Sequence, residues 1–398
     1  MKNRLLKYLK RILLVSLLGL SLLFIIGYYL GAEYHSGDNP LAANWDNEGP
    51  YIFYENDSVL NVRYIMGNEK EGLYEREKKY HVDSLISVRS HYPLDSSSFD
   101  FSIKSNNKTP KSTYRDNGDI LAISDVEGSY KAFRDFLIHS KVIDEDLNWT
   151  FGNGHLVLVG DFVDRGAFVT QVLWFIYKLE QEAEKEGGFV HFIIGNHEIK
   201  NMHGNYRAAG EKYEQFANTL GKEQLDLYGV NSVIGNWMSN KNAIELINGN
   251  LFVHGGIHPD LANFKLNLSE INEIIRADYY HFPTSNKSNS SEKSRDEIVQ
   301  EFLVSSKTGP CWYRGYFKDN LSQEEVESGL AIFNANTVIV GHTIQNKVNR
   351  QYQGKVIGID VQHPQGHRWH WPQRKSEALH IEGSKYYRVF ANGDKEEI

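Results

Sequence analysis

Five short strings of oxygen and nitrogen donors each follow on an apolar run, and this arrangement constrains the fold more than any other feature of the 398-residue chain. The runs are Ile120 to Ile123, Leu156 to Val159, Phe192 to Ile194, Leu251 to Val253 and Val338 to Val340. They are continuous in Val, Ile and Leu, as strands buried on both faces are. The strings are Asp125-Val126-Glu127, Gly160-Asp161-Phe162-Val163-Asp164-Arg165-Gly166, Gly195-Asn196-His197-Glu198, His254-Gly255-Gly256 and Gly341-His342-Thr343. Donor side chains therefore gather at carboxyl ends of strands, where open α/β sheets place their ligands. Taken singly, a strand-end Asp or His has an ordinary explanation such as a helix cap. Five in succession, offering carboxylate, amide and imidazole, describe a two-metal hydrolytic site.

Between the strings, strand alternates with helix. Tyr130, Phe133, Phe136 and Leu137, then Val172, Phe175, Ile176 and Leu179, recur at helical spacing and read as core faces. Residues 49–115 read as a small β-rich accessory region, with strands in Tyr51 to Ile65 and Leu85 to Val88. A charged segment, Glu69 to Lys79, and a Ser-, Asn- and Lys-rich stretch, Asp95 to Ser112, complete it. Lys200 to Asn250 reads as a mostly polar, helical insert, and Pro283 to Asp296 as a mobile surface loop. Ala378 to Phe390 reads as a hairpin, with Trp369 and Trp371 partly buried against the last strand.

At the amino end, Lys2, Arg4, Lys7, Lys10 and Arg11 precede an uncharged run from Ile12 to Leu30. That run is close to the ~20 residues that cross a bilayer as a helix. The far flank, with Glu33, Asp38, Asp46 and Glu48, lacks Lys and Arg. The positive-inside rule then keeps the amino terminus cytoplasmic and sends the remainder across the membrane, to the periplasm of a Gram-negative cell. A cleaved signal peptide is the alternative, but its apolar core is usually ~7 to 15 residues, and Leu30 two before Ala32 spoils a small-x-small cleavage site. The expected plan is a basic tail 1–11, a transmembrane anchor 12–30, a linker 31–48, the accessory region 49–115, a catalytic domain 116–364 and a C-terminal extension 365–398. A formal net charge of -8 offers no basic field for nucleic acid. Cys311, the only cysteine, cannot form an internal disulfide and reads as a small buried residue.

From Asn117 to Pro364 the order of these motifs resembles the calcineurin-like metallophosphoesterases, most closely the Shewanella-like branch of the phosphoprotein phosphatase group. The resemblance implies an α/β fold, a two-sheet sandwich flanked by helices in α-β-β-α layers, here preceded by the transmembrane helix and the β-rich region. It implies hydrolysis of phosphomonoesters, phosphoproteins among them, by in-line attack of a metal-bound hydroxide without a covalent intermediate. Asp161 would bridge two divalent cations, with Asp125 and Glu127 completing the first and Asn196, His254 and His342 the second. Glu127 departs from the family, which usually has Asp-x-His there. Three carboxylates would favour Mn²⁺ or Mg²⁺ over Zn²⁺ at the first position, with iron or Mn²⁺ at the second. They would also raise the pKa of the bridging water.

By the same resemblance His197, held by Asp164, would protonate the leaving group rather than bind metal. Arg165 and Arg314 would clamp the phosphate beside Asn196, with a surface salt bridge as the alternative for Arg314. Glu198 would orient the turn. His139, His155, His191, His203, His258 and His380 carry no motif and read as ordinary residues. A phosphodiesterase is a second enzymatic reading. A degenerate metal-binding module, with Glu127 marking lost catalysis, is a reading of another class, opposed by an unligated acid at His197 that a binding module would not need.

Overall fold

The apolar runs form strands that stack as two sheets, with each donor string just past a strand end. The computed structural model describes residues 2–30, 32–68, 70–104, 108–281, 293–319 and 321–398. One six-stranded sheet runs in the order Phe189–Ile193, His155–Val159, Ile120–Ile123, Glu377–Glu382, Lys385–Phe390, Lys395–Glu397. Its first three strands are parallel; the C-terminal hairpin joins antiparallel, with Leu379 opposite Ala122. The other sheet runs Asn349–Gln351, Val356–Gly358, Thr337–Val340, Asn250–Val253, Ile244–Ile247, Thr113–Tyr114.

Because side chains alternate along a strand, Ile120, Ala122, Val157 and Ile193 meet Phe252, Ile339 and Ile357 in a core between the sheets. Leu121, Ile123, Leu156 and Leu158 join the outer core that holds the helices Tyr130–His139 and Val169–Glu186. Leu251, Val253, Val338 and Val340 do the same for the helices Leu268–Asp278 and Gln323–Ala331. The result is the expected α-β-β-α layering.

The region before the sandwich holds more strand than its composition suggests. Glu48–Asn56, Val59–Asn68 and Gly72–His81 form an antiparallel sheet, and Ile86–Tyr92 pairs with Ser97–Ile103. The charged segment is thus largely an edge strand, with Glu75, Arg76, Glu77, Lys78 and Lys79 exposed, a composition that discourages pairing with another chain. In the Ser-rich stretch, Phe99, Phe101 and Ile103 alternate inward. Phe101 stacks on Trp174 at 4.8 Å, and the Trp174 indole donates to the Pro50 carbonyl. These contacts fuse the region to the helix Val169–Glu186.

Other expectations need correction. The insert contains the helices Lys212–Thr219 and Val233–Ser239, but it ends in the strand Ile244–Ile247. Residues 283–292 of the expected surface loop lie outside the described residues, and Arg295 and Asp296 open a helix capped by Ser294. Trp369 and Trp371 do not cover the last strand. Arg368–Trp371 instead pairs antiparallel with Tyr34–Asp38, inside the stretch read as linker, and Trp369 is 57% exposed. Before it, the helix Lys2–Tyr29 is long and apolar enough over Arg4–Tyr29 to cross a membrane.

Candidate active site

The donor strings meet at one edge of the sandwich because their strands are neighbours. Close approach there depends on glycine: Gly160 has φ 77°, and a Cβ on it would lie 2.5 Å from His254 Nδ1. Asp125, Glu127, Asp161, Asp164, Arg165 and His342 all take positive φ. That conformation costs a non-glycine residue about 1–3 kcal/mol and persists only where the surroundings over-determine it, typically at functional sites.

Asp161, His254 and His342 bring one donor atom each within 4.8 Å of one another, all buried. His254 Nδ1 lies 2.8 Å from the Val159 carbonyl and so carries the proton. Its Nε2 lies 3.1 Å from both Asp161 Oδ2 and Asn196 Oδ1. Burial opposes a second proton on His254, but Asp161 and Asp125 outweigh it and lift the pKa to about 10. Burial likewise opposes ionisation of Asp161, and His254 and His197 outweigh that and hold its pKa low. Positive charge is therefore demanded among these atoms. Turned over, the Asn196 amide nitrogen would donate to His342 Nδ1 (2.8 Å), His254 Nε2 (3.1 Å) and Asp161 Oδ2 (3.1 Å). An inward oxygen is the better orientation only around a cation. This donor set fits a divalent metal.

The adjoining wall is carboxylate-rich. Asp125 Oδ2 accepts from the His342 backbone N–H at 3.1 Å. Glu127 Oε1 pairs with Arg165 Nη1 at 2.6 Å, and Glu127, Asp161 and His197 form a second close donor group. Asp360, which sequence reading missed, is 4% exposed and lines the same cavity as Asp125, Glu127, Arg165 and Arg374. Its carboxylate makes no hydrogen bond or ion pair among the described residues. Burial and mutual repulsion push Asp125 well up, Glu127 to about 8 and Asp360 to about 7. Three such groups cannot ionise together without added positive charge. Asp360 was detectable, since it follows the apolar run Val356 to Ile359 just as the other donors follow theirs.

His197 belongs to the second of these groups, with its Nε2 3.8 Å from Asp161 Oδ2. Its Nδ1 is 2.7 Å from Asp164 Oδ2, and Asn201 Nδ2 donates to Asp164 Oδ1 at 2.8 Å. The backbone N–H of His197 donates to Asp161 Oδ1 at 2.9 Å. Its Nε2 faces Lys200 Nζ at 3.2 Å and Arg165 Nη2 at 3.4 Å. Lys200 carried no sequence signal; burial lowers its pKa. Glu198 accepts from the backbone N–H groups of Asp161, Phe162 and Gly195, so it holds two donor strings in register.

Arg314 donates to the His342 carbonyl and approaches His342 Nδ1 at 3.3 Å, with no carboxylate partner among the described residues. It lines an open groove of about 570 Å³ with Lys200, Lys307, Lys318 and Trp312. Cys311 is buried, as expected, with its thiol toward the Ile194 carbonyl. His155 and His191 pair with each other far from the site, His139 bonds the Ala391 carbonyl and His203 the Asp278 carbonyl. His258 borders the groove, and His380 lies beside Asp119 and Glu382.

The calcineurin-like phosphoesterase family model matches residues 118–346. Shewanella-like protein phosphatase 1 of Plasmodium berghei is 29% identical over 249 residues, 58% of this chain and 62% of that protein. Shewanella-like protein phosphatase 2 of Arabidopsis thaliana is 24% identical over 289 residues, 61% of this chain and 70% of that protein. The crystal structure of the cold-active protein-tyrosine phosphatase of a psychrophilic Shewanella species superposes with a TM-score of 0.75 at 31% identity. That match covers 88% of this chain and 99% of the other.

Proposed function

This chain belongs to the calcineurin-like phosphoesterase family of metal-dependent hydrolases, and from that premise we propose that it is a membrane-anchored phosphatase acting on phosphomonoesters through two divalent metals. The observation that carries the reading is Asp161, which belongs to two close donor groups, one with His254 and His342 and one with Glu127 and His197. Asp161 would be shared by both cations, Asn196, His254 and His342 would hold one, and Asp125, Glu127 and the newly found Asp360 the other. Oxygen donors on that side favour Mn²⁺, with Mg²⁺ next. Bound there, the pair would acidify a coordinated water and neutralise phosphate oxygens.

The chain's own residues supply the rest. Arg165, about half exposed, can place a guanidinium nitrogen on a phosphate oxygen, and Arg314 and Lys200 approach from the groove. His197 Nε2, oriented through Nδ1 by Asp164, would hand a proton to the departing oxygen. The Shewanella relative is a protein-tyrosine phosphatase and the Plasmodium and Arabidopsis relatives are protein phosphatases, which puts phosphoproteins first among the monoesters. The helix Arg4–Tyr29, whose first turns carry Arg4, Lys7, Lys10 and Arg11, would anchor the enzyme with its catalytic part outside the cytoplasm.

The test is metal analysis of purified protein with assays on p-nitrophenyl phosphate, phosphopeptides and a phosphodiester. Monoester turnover with two metals per chain is expected. Faster diester cleavage would establish a phosphodiesterase, and bound metal without turnover a binding module. A reporter fused after residue 45 should be active only outside the cytoplasm; activity inside would overturn the orientation.

A further inference from the structure

The paired strands Tyr34–Asp38 and Arg368–Trp371 have two unlike faces. Tyr34 is opposite Trp371 and Ser36 opposite Trp369, so alternation gathers the aromatics on one face. His35 and His370 take the other, where His370 is buried. Trp369 is 57% exposed and Trp371 38%, and two neighbouring exposed indoles on one strand face mark an interaction surface more than scattered apolar exposure does.

That face continues into the apolar helix. The Tyr34 ring lies 4.5 Å from Phe24, and the Trp371 ring 5.4 Å from Tyr28. Phe24 is about 9 Å along the axis from Leu30 at the helical rise, so the ribbon reaches below the helix end, to the depth at which Trp and Tyr settle in a bilayer. Glu33 anchors the ribbon through Arg374 at 2.5 Å, and Arg368 pairs with Asp38 at 2.6 Å. Arg374 also lines the cavity of Asp125, Glu127 and Asp360. Glu33 lies only four residues beyond Tyr29, at most about 14 Å of chain. One side chain therefore separates the segment leaving the helix from the catalytic cavity.

We propose that the Tyr34, Trp369 and Trp371 face docks into the lipid headgroup region, seats the cavity at the bilayer surface and directs the enzyme to phosphate groups on membrane-tethered proteins. This rests on the anchored-phosphatase reading above. The occupant is lipid because the surface adjoins a helix of bilayer length, and an aromatic face of that kind suits the interface where one side is apolar and the other wet.

The chain makes the test direct. Of its seven tryptophans none precedes Trp45; Trp45, Trp149, Trp174 and Trp237 are buried in the body, and Trp312 is half-buried in the groove beside Arg314. Full-length protein in vesicles with acyl chains brominated near the headgroup should lose part of its tryptophan emission, and W369F/W371F should lose most of that quenching, with Trp312 the one remaining partly exposed indole among the described residues. In the same vesicles a lipid-tethered phosphotyrosine peptide should be turned over with about tenfold higher kcat/KM than its untethered form. That ratio should fall several-fold in W369S/W371S while p-nitrophenyl phosphate turnover is unchanged. Absent quenching, or equal quenching in W369F/W371F, overturns the docking. A metal-loaded wild-type protein inert toward p-nitrophenyl phosphate would overturn the substrate half through the phosphatase reading, with quenching still deciding the docking.

Discussion

Among the described residues, two largely buried networks of imidazole and carboxylate lie near opposite ends of the first sheet's parallel strands. Near the amino ends, Asp116 holds His155 at 2.9 Å, His155 holds His191 at 2.9 Å, and His191 reaches Glu245 at 2.6 Å. Asn242 donates to the remaining Glu245 oxygen at 2.8 Å. Each ring nitrogen has a partner, and the chain clips one sheet to the other. Past the carboxyl ends the same residue types crowd Asp125, Glu127, Asp161, Asp360, His254 and His342 with acceptors facing acceptors. A saturated network stabilises; an unsaturated one awaits a ligand. The difference lies in which partners the fold supplies, since the residue types are shared.

The contrast can be broken by substitution, and the largest effect should fall on the unsaturated side. Asp161→Asn should lose metal and activity together, while His197→Ala should keep its metals and lose activity by about 10² to 10⁴. Full metal content in Asp161→Asn would end the claim that it is shared. On the saturated side, Glu245→Leu strands a buried His pair and should cost about 3–5 kcal/mol in denaturant unfolding, with metal content of the folded protein unchanged. A loss of metal there would join the two networks.

His363 sharpens the distinction, since it lies beneath the site yet is saturated, bonding the Ser124 carbonyl at 2.9 Å and Ser376 Oγ at 3.0 Å. Burial depresses its pKa to about 4. Unfolded, it would titrate near the ordinary value of about 6.5. Above that pH neither state is protonated and nothing is lost. As pH falls from about 6.5 toward 4, the unfolded chain takes a proton the folded one refuses, and stability should drop by about 3 kcal/mol. His363→Gln should flatten that part of the stability profile; an unchanged slope would contradict it. The smallest effect is expected from Asp360→Asn, which keeps an oxygen donor but removes its charge and should weaken metal affinity in chelator competition. Unaltered affinity would leave Asp360 a neutral, protonated group.

The sequence alone determined the five strands that carry the donor strings, the C-terminal hairpin and the two amphipathic helices that follow the first strings, because each depends on local periodicity and on residues adjacent in the chain. It also determined the apolar amino-terminal helix, which composition suffices to specify. The tertiary structure decided what depends on distant partners. Ser97–Ile103 is a strand because Trp174 and Tyr177 offer its inward aromatics a surface, and Trp369 and Trp371 are exposed because Tyr34–Asp38 pairs with their strand. Glu127 meets Arg165 across a turn, and Asp360 joins Asp125 and Glu127 around one cavity only once the sheets align the ends of Ile120–Ile123, His155–Val159 and Val356–Gly358. Convergence in space is set by sheet order and register, and no local pattern in a single chain encodes either.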